Sequence, residues 1–466
     1  MNRFRLREHA PSILVATLSS AFGVALLSVT GHLTAIIAAD DVTGSSSTVA
    51  FVLALLGGVF IVIATYVGAV VTANTFATII AGRTRTIALL RLLGASATSR
   101  RRAVAGEGLL VGVVGAVLGA LLGVLVSAGL VAVAMASGLA PVLSYEWVQP
   151  VIVLPVVVVV VTTWAASWAG SRRVLDVSPM QATGGAHEVR YEDARKGRGR
   201  NVAALVLLLL GGGLLALGVV VGVANPVGIL PAVLGGVLSF TGFVLGAQLV
   251  MPAALRLVGR LFGRGASARL ASENAVRYPE RSTRTTIGLV IGVTLVTMFA
   301  VASGSYQRVL ETAFPGGPDG AVQLDAIILT TVVIFSVLLG FSALIAAVGM
   351  VNNLSLSVMQ RTRELGLLRA LGFTSGQLRR MIAVESAQLT VAAVLVGLLL
   401  GVFYGWAGAQ SLLASLPGTG GFVVPVVPLW LLAAVVVAAA LLTLAASVAP
   451  TRRATRISPV VALAVE

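Results

Sequence analysis

The stretch RTRELGLLRALGFTSGQLRRM, residues 361–381, lies between two long apolar runs and is too polar to cross a membrane. Its leucines recur at helical spacing, while arginine and glutamate side chains supply charge, so residues 363–372 are predicted to form a short amphipathic helix. Gly372 is a predicted helix stop. Thr374, with Gln377 three residues later, predicts a capping box at the start of a second helix. The stretch is therefore expected to fold as helix, tight turn and helix.

The same pattern occurs 278 positions earlier, as RTRTIALLRLLGASATSRRRA at residues 83–103. The match extends outward to polar positions, since Asn74 pairs with Asn352 and Glu107 pairs with Glu385. Farther along, AASWAGSRRVLDVSP (165–179) pairs with AASVAPTRRATRISP (445–459). Chance would align leucine and alanine in so apolar a chain, but not arginine, asparagine, glutamate and Ser-Pro together. We interpret the pattern as an internal duplication.

The composition indicates a membrane protein. Hydrophobic residues make up 58% of the 466-residue chain, charged residues make up 11%, and the mean hydropathy is +1.01. About 20 apolar residues suffice to cross a bilayer as a helix. Runs of that kind occur at 12–38, 50–80, 104–136, 150–170, 202–223, 229–254, 285–305, 325–351, 382–412 and 427–448. The predicted fold is an all-α polytopic membrane protein with about ten transmembrane helices.

The basic residues predict the orientation. If Met1 is cytoplasmic and every run crosses, all lysine and arginine residues except Arg308 fall on the cytoplasmic side, as expected for such residues. Both termini are then cytoplasmic in the cell membrane. The net charge of +15 is a topology signal of this kind, and some of these residues are expected to meet membrane lipid headgroups. Nucleic acid is not an expected partner.

The duplication divides the chain into three parts. Residues 1–183 form repeat one with spans 1–4, and residues 272–466 form repeat two with spans 7–10. Between them, residues 184–271 contain a basic linker and a two-helix hairpin, spans 5–6, that has no counterpart in the duplication. Both repeats begin in the cytoplasm and contain four spans, so they are predicted to be parallel.

Small and polar residues inside the spans suggest how the helices pack. Glycines spaced four apart predict close helix contacts, at Gly115, Gly119 and Gly123 and again at Gly397, Gly401 and Gly405. Asn74, Asn352, Gln248 and Gln388 are expected to form interhelical hydrogen bonds. Glu107 and Glu385 leave two interpretations open. Each pairs or faces the cytoplasmic interface near a helix start, or each belongs to a proton or substrate relay.

Motifs for catalysis are absent from the sequence. There is no cysteine, and His9, His32 and His187 are scattered, so no metal site is predicted. The single lysine, Lys196, stands outside any glycine-rich loop that could hold a nucleotide phosphate. The chain is predicted to be no enzyme and to have no cofactor or ATPase site of its own.

Residues 361–381, Glu385 and the closing TRRATRISPVVAL (451–463) resemble the FtsX-like permease domain of type VII ABC transporters, the group of MacB, LolC and bacitracin-type permeases. The resemblance is specific over 325–466 and weaker over 50–183. It implies coupling helices that dock two copies of a separate ATP-binding subunit, which would bind ATP and Mg²⁺. The implied docking residues are Arg363, Glu364, Leu367, Leu368, Arg369, Leu371 and Gly372 in repeat two, and Arg85, Leu89, Leu90, Arg91, Leu93 and Gly94 in repeat one.

This sequence departs from the family pattern in two places. The predicted outer loops 40–49 and 306–324 are short, so no large extracytoplasmic domain is expected and a separate extracytoplasmic protein is the predicted replacement. Thr86 stands where repeat two has Glu364, which makes the two docking sites unequal.

The resemblance implies a permease subunit of the mechanotransmission type that exports or extracts a lipid, peptide or drug-like cargo. Two alternatives remain open: force signalling to an extracytoplasmic partner such as a cell-wall hydrolase, and ATP-independent secondary transport by parallel repeats.

Overall fold

The computed structural model describes residues 6–38, 96–136, 150–176, 198–261, 266–277, 279–313 and 371–441, with single-residue gaps in the last range, together with Leu344 and scattered positions between 55 and 73. Those residues form helices, turns and one segment without regular secondary structure, residues 422–428, and none of them is in a strand. A continuous helix satisfies its backbone N–H and C=O groups within one segment, as a chain in lipid requires. The prediction of an all-α polytopic membrane protein is confirmed.

The helices discussed below are numbered in chain order. They are α1 Leu6–Ala38, α2 Ala97–Ala136, α3 Val153–Asp176, α4 Arg198–Gly222, α5 Ile229–Gly259, α6 Ala266–Arg277, α7 Pro279–Ala313 and α8 Ser375–Leu413. Short 3-10 turns, Pro150–Ile152 and Pro226–Gly228, precede α3 and α5. With 40 and 39 residues, α2 and α8 are about twice the length that crosses the hydrocarbon core. Each therefore extends beyond the membrane.

Seven of the described helices are long and apolar enough to cross a membrane, and they correspond to seven of the predicted runs. The runs 50–80 and 325–351 lie largely outside the described residues, and 427–448 is described only as far as residue 441, so ten spans and the full repeat layout stay predictions. One boundary is corrected, because α7 continues to Ala313 instead of ending at residue 305. Val309 is buried against Ala409 and Leu413 of α8, and this packing supports the helix beyond its apolar run.

The described helices pack in three groups that share one core. In these groups α1 lies against α2 and α3, α4 lies against α5, and α7 lies against α8. Helices α5 and α6 also contact α8 and connect the second and third groups. One cluster of buried apolar side chains contains Phe22 of α1, Phe240 of α5, Ile291 of α7 and Ala392 of α8. The hairpin is thus part of the core rather than an appendage.

The first helix of each predicted repeat is the most enclosed. In α1, 83% of the apolar window is buried, and in α7 the value is 72%, against 28% in α3 and 22% in α4. Apolar surface on α3 and α4 therefore faces lipid. Helices α1 and α7 are buried, and each packs against a helix that carries a row of glycines, α2 and α8 respectively.

Gly397, Gly401 and Gly405 lie where α8 packs against α7. A β-carbon on Gly401 would be 2.5 Å from the Thr297 β-carbon and 2.7 Å from the Thr294 carbonyl oxygen. These separations are too short for any side chain at that position. The two backbones approach this closely because glycine has none.

Gly115, Gly119 and Gly123 occupy the matching face of α2, against α1. A β-carbon on Gly119 would be 2.5 Å from the Ser20 β-carbon, and one on Gly123 would be 2.8 Å from the Ala21 carbonyl oxygen. The structure thus places both predicted glycine rows at close helix contacts.

Helices α4 and α5 form a hairpin whose turn contains Asn225. The Asn225 Oδ1 atom accepts a hydrogen bond of 2.9 Å from the Val227 N–H. Within the hairpin, a β-carbon on Gly211 would be 2.7 Å from the Gly235 carbonyl oxygen, and one on Gly235 would be 2.6 Å from that of Gly211. Glycine again sets the distance between the two helices.

Candidate docking site at the start of α8

A tight turn precedes α8. Gly372 has a φ of +97°, in the left-handed region that favours glycine and often ends helices. The Thr374 hydroxyl accepts a hydrogen bond of 3.2 Å from the Gln377 N–H, and Gln377 Oε1 accepts one of 2.9 Å from the Thr374 N–H. The predicted capping box is confirmed. Within this turn, the apolar residue Leu371 is 71% exposed.

Helix α6 packs against the first turns of α8. Ala271 of α6 is buried in a cluster with Leu378, Met381 and Ile382 of α8. The three α8 side chains lie within the first two turns after the cap. The apolar contact therefore holds the turn and the start of α8 in one place.

A buried amide adds a polar contact one turn and a half farther along α8. Gln388 Nε2 donates a hydrogen bond of 2.8 Å to the Leu255 carbonyl oxygen of α5 and one of 3.4 Å to Ser272 Oγ of α6. The prediction of an interhelical hydrogen bond at Gln388 is confirmed, while Gln248 is partly buried on α5. The start of α8 is thus fixed to two helices.

The start of α2 repeats part of this geometry. Helix α2 begins at Ala97, and α8 begins 278 positions later at Ser375. Ser96 precedes α2 as Thr374 precedes α8, and the Ser96 hydroxyl accepts a hydrogen bond of 3.2 Å from the Ser99 N–H. Ser99 occupies the position that matches Gln377, the residue whose side chain completes the capping box of α8. The cap of α2 is therefore the simpler one.

Most of the predicted docking residues lie outside the described part of the chain. Leu371 and Gly372 belong to the described turn, as given above. The others stay predictions without a described position: Arg85, Leu89, Leu90, Arg91, Leu93, Gly94, Arg363, Glu364, Leu367, Leu368 and Arg369.

The predicted intramembrane polar residues are unequal in burial. Glu385 of α8 is 7% exposed, whereas Glu107 at the matching place in α2 is partly exposed. Asn74 and Asn352 lie outside the described residues. Within the described ranges, no three histidine, cysteine or acidic side chains converge as a metal site would require.

Removing the α8 cap is expected to loosen the turn that precedes α8. Thr374→Ala deletes the hydroxyl that accepts from the Gln377 N–H, and loss of such a cap costs about 1 kcal/mol. Hydrogen–deuterium exchange in the first turn of α8 should become several-fold faster. Thr374→Ser keeps the hydroxyl and should exchange like the wild type. Equal exchange in the two variants would contradict a structural role for the cap.

The opposite end of α8 holds an extended segment, residues 421–426. Gln410 Nε2 donates a hydrogen bond of 2.7 Å to the Gly421 carbonyl oxygen, and Gln410 Oε1 accepts one of 2.7 Å from the Val423 N–H. Trp406 Nε1 donates one of 3.1 Å to the Val423 carbonyl oxygen. Side chains of α8 thus take the place of a neighbouring strand.

Helix α7 holds the same segment from the other side. Ser305 Oγ accepts a hydrogen bond of 3.3 Å from the Val426 N–H and donates one of 3.5 Å to the Val424 carbonyl oxygen. This contact was not among the features predicted from the sequence. A signal was present in the glycine-rich turn that leads into the segment, where Gly420 and Gly421 have φ values of +60° and +81°.

Comparison with known families gives a match in two places. The family described as "FtsX-like permease C-terminal" matches residues 58–179 and 336–459, together more than half of the chain. The two matched segments begin 278 positions apart. Each contains one of the predicted docking segments, and the second also contains the Gly372 turn and all of α8.

Similar curated proteins are permeases by name. "Uncharacterized ABC transporter permease YknZ" of Bacillus subtilis (strain 168) is 38% identical over 90 residues, 19% of this chain and 22% of that protein. "ABC transporter permease YtrF" of the same organism is 32% identical over 65 residues, 14% and 15% of the two chains. "Macrolide export ATP-binding/permease protein MacB" of Chlorobaculum tepidum is 32% identical over 80 residues, 16% and 12%. Each match spans less than a quarter of the relative's length.

Proposed function

Because the chain belongs to the FtsX-like permease family, we propose that it is the membrane subunit of an ABC transporter whose ATP-binding subunit is a separate polypeptide. The observation that carries the proposal is the position of the two family matches, each of which includes one predicted docking segment. ATP and Mg²⁺ would bind to the partner subunit, since this chain has no nucleotide-binding lysine motif.

The geometry at the start of α8 supports docking there. Leu371 is a largely exposed apolar side chain on a turn held by a capping box and by packing against Ala271. An apolar ridge on a rigid support suits a groove in a soluble partner. The matching segment before α2, residues 83–95, repeats the leucine and arginine pattern in the sequence, and on this basis two copies of the ATP-binding subunit would dock.

The length of α8 supports mechanical coupling between the two membrane faces. Its 39 residues form one continuous helix, about 58 Å long at 1.5 Å per residue, against about 30 Å of hydrocarbon. One end begins at the docking turn, and the other holds the extended segment through Gln410. A rigid-body movement of α8 would carry displacement from the ATP-binding subunits to the outer face.

The cargo we propose is a lipid, peptide or drug-like molecule that is exported or extracted at the outer face, with a separate extracytoplasmic protein assisting. The name of the MacB relative, a macrolide export protein, supports a cargo of this class. The distribution of basic residues supports cytoplasmic termini and docking on the cytoplasmic side.

The test is co-purification from native membranes in mild detergent, with mass spectrometry to identify an ATP-binding polypeptide that carries a Walker A lysine motif. Leu368→Glu and Leu90→Glu each place a carboxylate at a position where the proposal expects an apolar contact with the partner. Recovery of the partner should fall at least about tenfold, since about 1.4 kcal/mol suffices for that loss. Leu261→Glu is the matched control, because this leucine is 76% exposed at the end of α5, outside both docking segments.

Two outcomes would contradict the proposal. A wild-type sample without any ATP-binding polypeptide would instead favour the ATP-independent secondary transporter. Recovery that is equal in all three variants would show that the partner binds elsewhere on the chain.

A further inference from the structure

Three consecutive residues of the hairpin helix α5 contact tyrosines that belong to different family-matched segments. The Tyr66 hydroxyl lies 2.8 Å from Thr241 Oγ1, and the Tyr404 hydroxyl lies 2.9 Å from Ser239 Oγ. Tyr66 belongs to the first segment and Tyr404, on α8, to the second. Residues 239–241 therefore lie between the two halves of the protein.

The direction of both hydrogen bonds follows from the other bonds of the same hydroxyls. Ser239 Oγ donates to the Gly236 carbonyl oxygen at 3.2 Å, and Thr241 Oγ1 donates to the Val237 carbonyl oxygen at 2.7 Å. A hydroxyl has one hydrogen, so an Oγ atom that donates to the carbonyl of its own helix accepts from its tyrosine. In that arrangement both tyrosines donate to α5.

Phe240, between the two hydroxyl residues, contacts both tyrosine rings. Its ring centroid lies 6.3 Å from that of Tyr66, at an interplanar angle of 81°, and 6.0 Å from that of Tyr404, at 72°. These are edge-to-face pairs, a geometry that aromatic rings favour. Phe240 is 8% exposed, so both pairs lie in the core.

We infer that residues 239–241 form a joint that holds the two family-matched halves together within the membrane. The hairpin has no counterpart in the duplication, yet one of its helices presents an acceptor to each half and shares one aromatic ring between them. This joint attaches both halves to α5. It concerns the assembly of the membrane part and stands apart from the docking of an ATP-binding subunit.

The joint can be tested on the full chain with a protease site placed in the linker between residues 184 and 197 and an affinity tag at the C-terminus. After cleavage in mild detergent, the sample is heated in steps, and the amount of the N-terminal fragment retained on the tag is measured. The temperature of half-retention is the temperature at which half of the N-terminal fragment is still retained. This temperature should fall by several degrees for Phe240→Ala, and also for Ser239→Ala combined with Thr241→Val.

The matched control removes one threonine hydroxyl and one serine hydroxyl that bond to their own helix and not to a tyrosine. Thr162 Oγ1 bonds to Val158 of its own helix, and Ser411 Oγ bonds to Ala407 of its own helix. Thr162→Val combined with Ser411→Ala should therefore leave the temperature of half-retention unchanged. A fall equal to that of the joint variants would overturn the inference.

A double-mutant cycle gives a second measurement with substitutions that keep the core volume. Tyr66→Phe removes a donor, whereas Thr241→Val leaves the tyrosine hydroxyl buried without an acceptor, so Thr241→Val should lower the half-retention temperature more. The half-retention temperature of the double variant should fall by less than the sum of the falls in the two single variants. Strict additivity, in protein that elutes as a single species before cleavage, would also overturn the inference.

Discussion

Gly401→Ala is expected to force α8 away from α7 and to lower the free energy of unfolding by about 1–3 kcal/mol, the usual cost of overpacking a tight contact. The new methyl group would lie 2.5 Å from the Thr297 β-carbon and 2.7 Å from the Thr294 carbonyl oxygen. The carbonyl belongs to the backbone of α7, so the whole helix must shift. Gly119→Ala should act in the same way, because its methyl group would lie 2.9 Å from the Ala21 backbone nitrogen of α1.

The same helices supply controls at glycines in open surroundings. Gly408 of α8 and Gly129 of α2 have no atom within 4 Å of an added β-carbon. Alanine is the better helix former by up to about 1 kcal/mol, so Gly408→Ala and Gly129→Ala should leave stability unchanged or raise it. The measurement is the temperature at which half of the detergent-solubilised protein still elutes as a single species. Equal losses in Gly401→Ala and Gly408→Ala would contradict the close contact between α7 and α8.

Gln410→Leu is expected to release the extended segment 421–426 from α8. The substitution leaves the Gly421 carbonyl oxygen and the Val423 N–H without the side-chain bonds that they have in the wild type. An unsatisfied buried group costs about 1–3 kcal/mol, so exchange of the amides in the segment should become at least tenfold faster. Hydrogen–deuterium exchange of peptides covering residues 419–426 measures this change.

The control for this prediction lies at the other end of the same helix. Gln377→Leu breaks the exposed capping box and should speed exchange only in the first turn of α8. If it also speeds exchange at residues 421–426, or if Gln410→Leu does not, the segment is held by something other than Gln410.

Much of the fold could be predicted because the signals are local. A run of about 20 apolar residues satisfies its own backbone as a helix wherever it lies in lipid, so the seven described spans could be found from the sequence. The Thr374 capping box joins residues three positions apart, and the glycine rows repeat every four residues along one helix face. These features require no knowledge of a partner helix.

The docking site could be predicted only as a segment. The leucine spacing, Gly372 and the repeated arginines define residues 361–381 and 83–103, and the family match includes both. Which side chains meet the partner subunit stays a prediction, because of the docking residues only the turn at Leu371 and Gly372 is described. Exposure of Leu371 is a tertiary property, since a leucine at helical spacing can equally face the core.

Composition and apolar periodicity by themselves determined that this protein is a helical membrane protein. The residues of 361–381 and 451–463 indicated the permease family that the family match then showed, while two related halves and a central hairpin stay predictions from the duplication. Only the tertiary structure decided how far α7 continues, which side chains hold residues 421–426, and that Ser239 and Thr241 form hydrogen bonds with Tyr404 and Tyr66. The residues joined by these last two bonds are 165 and 175 positions apart. A hydroxyl on a helix has no preferred partner until folding places one beside it, so no local pattern could have predicted the joint.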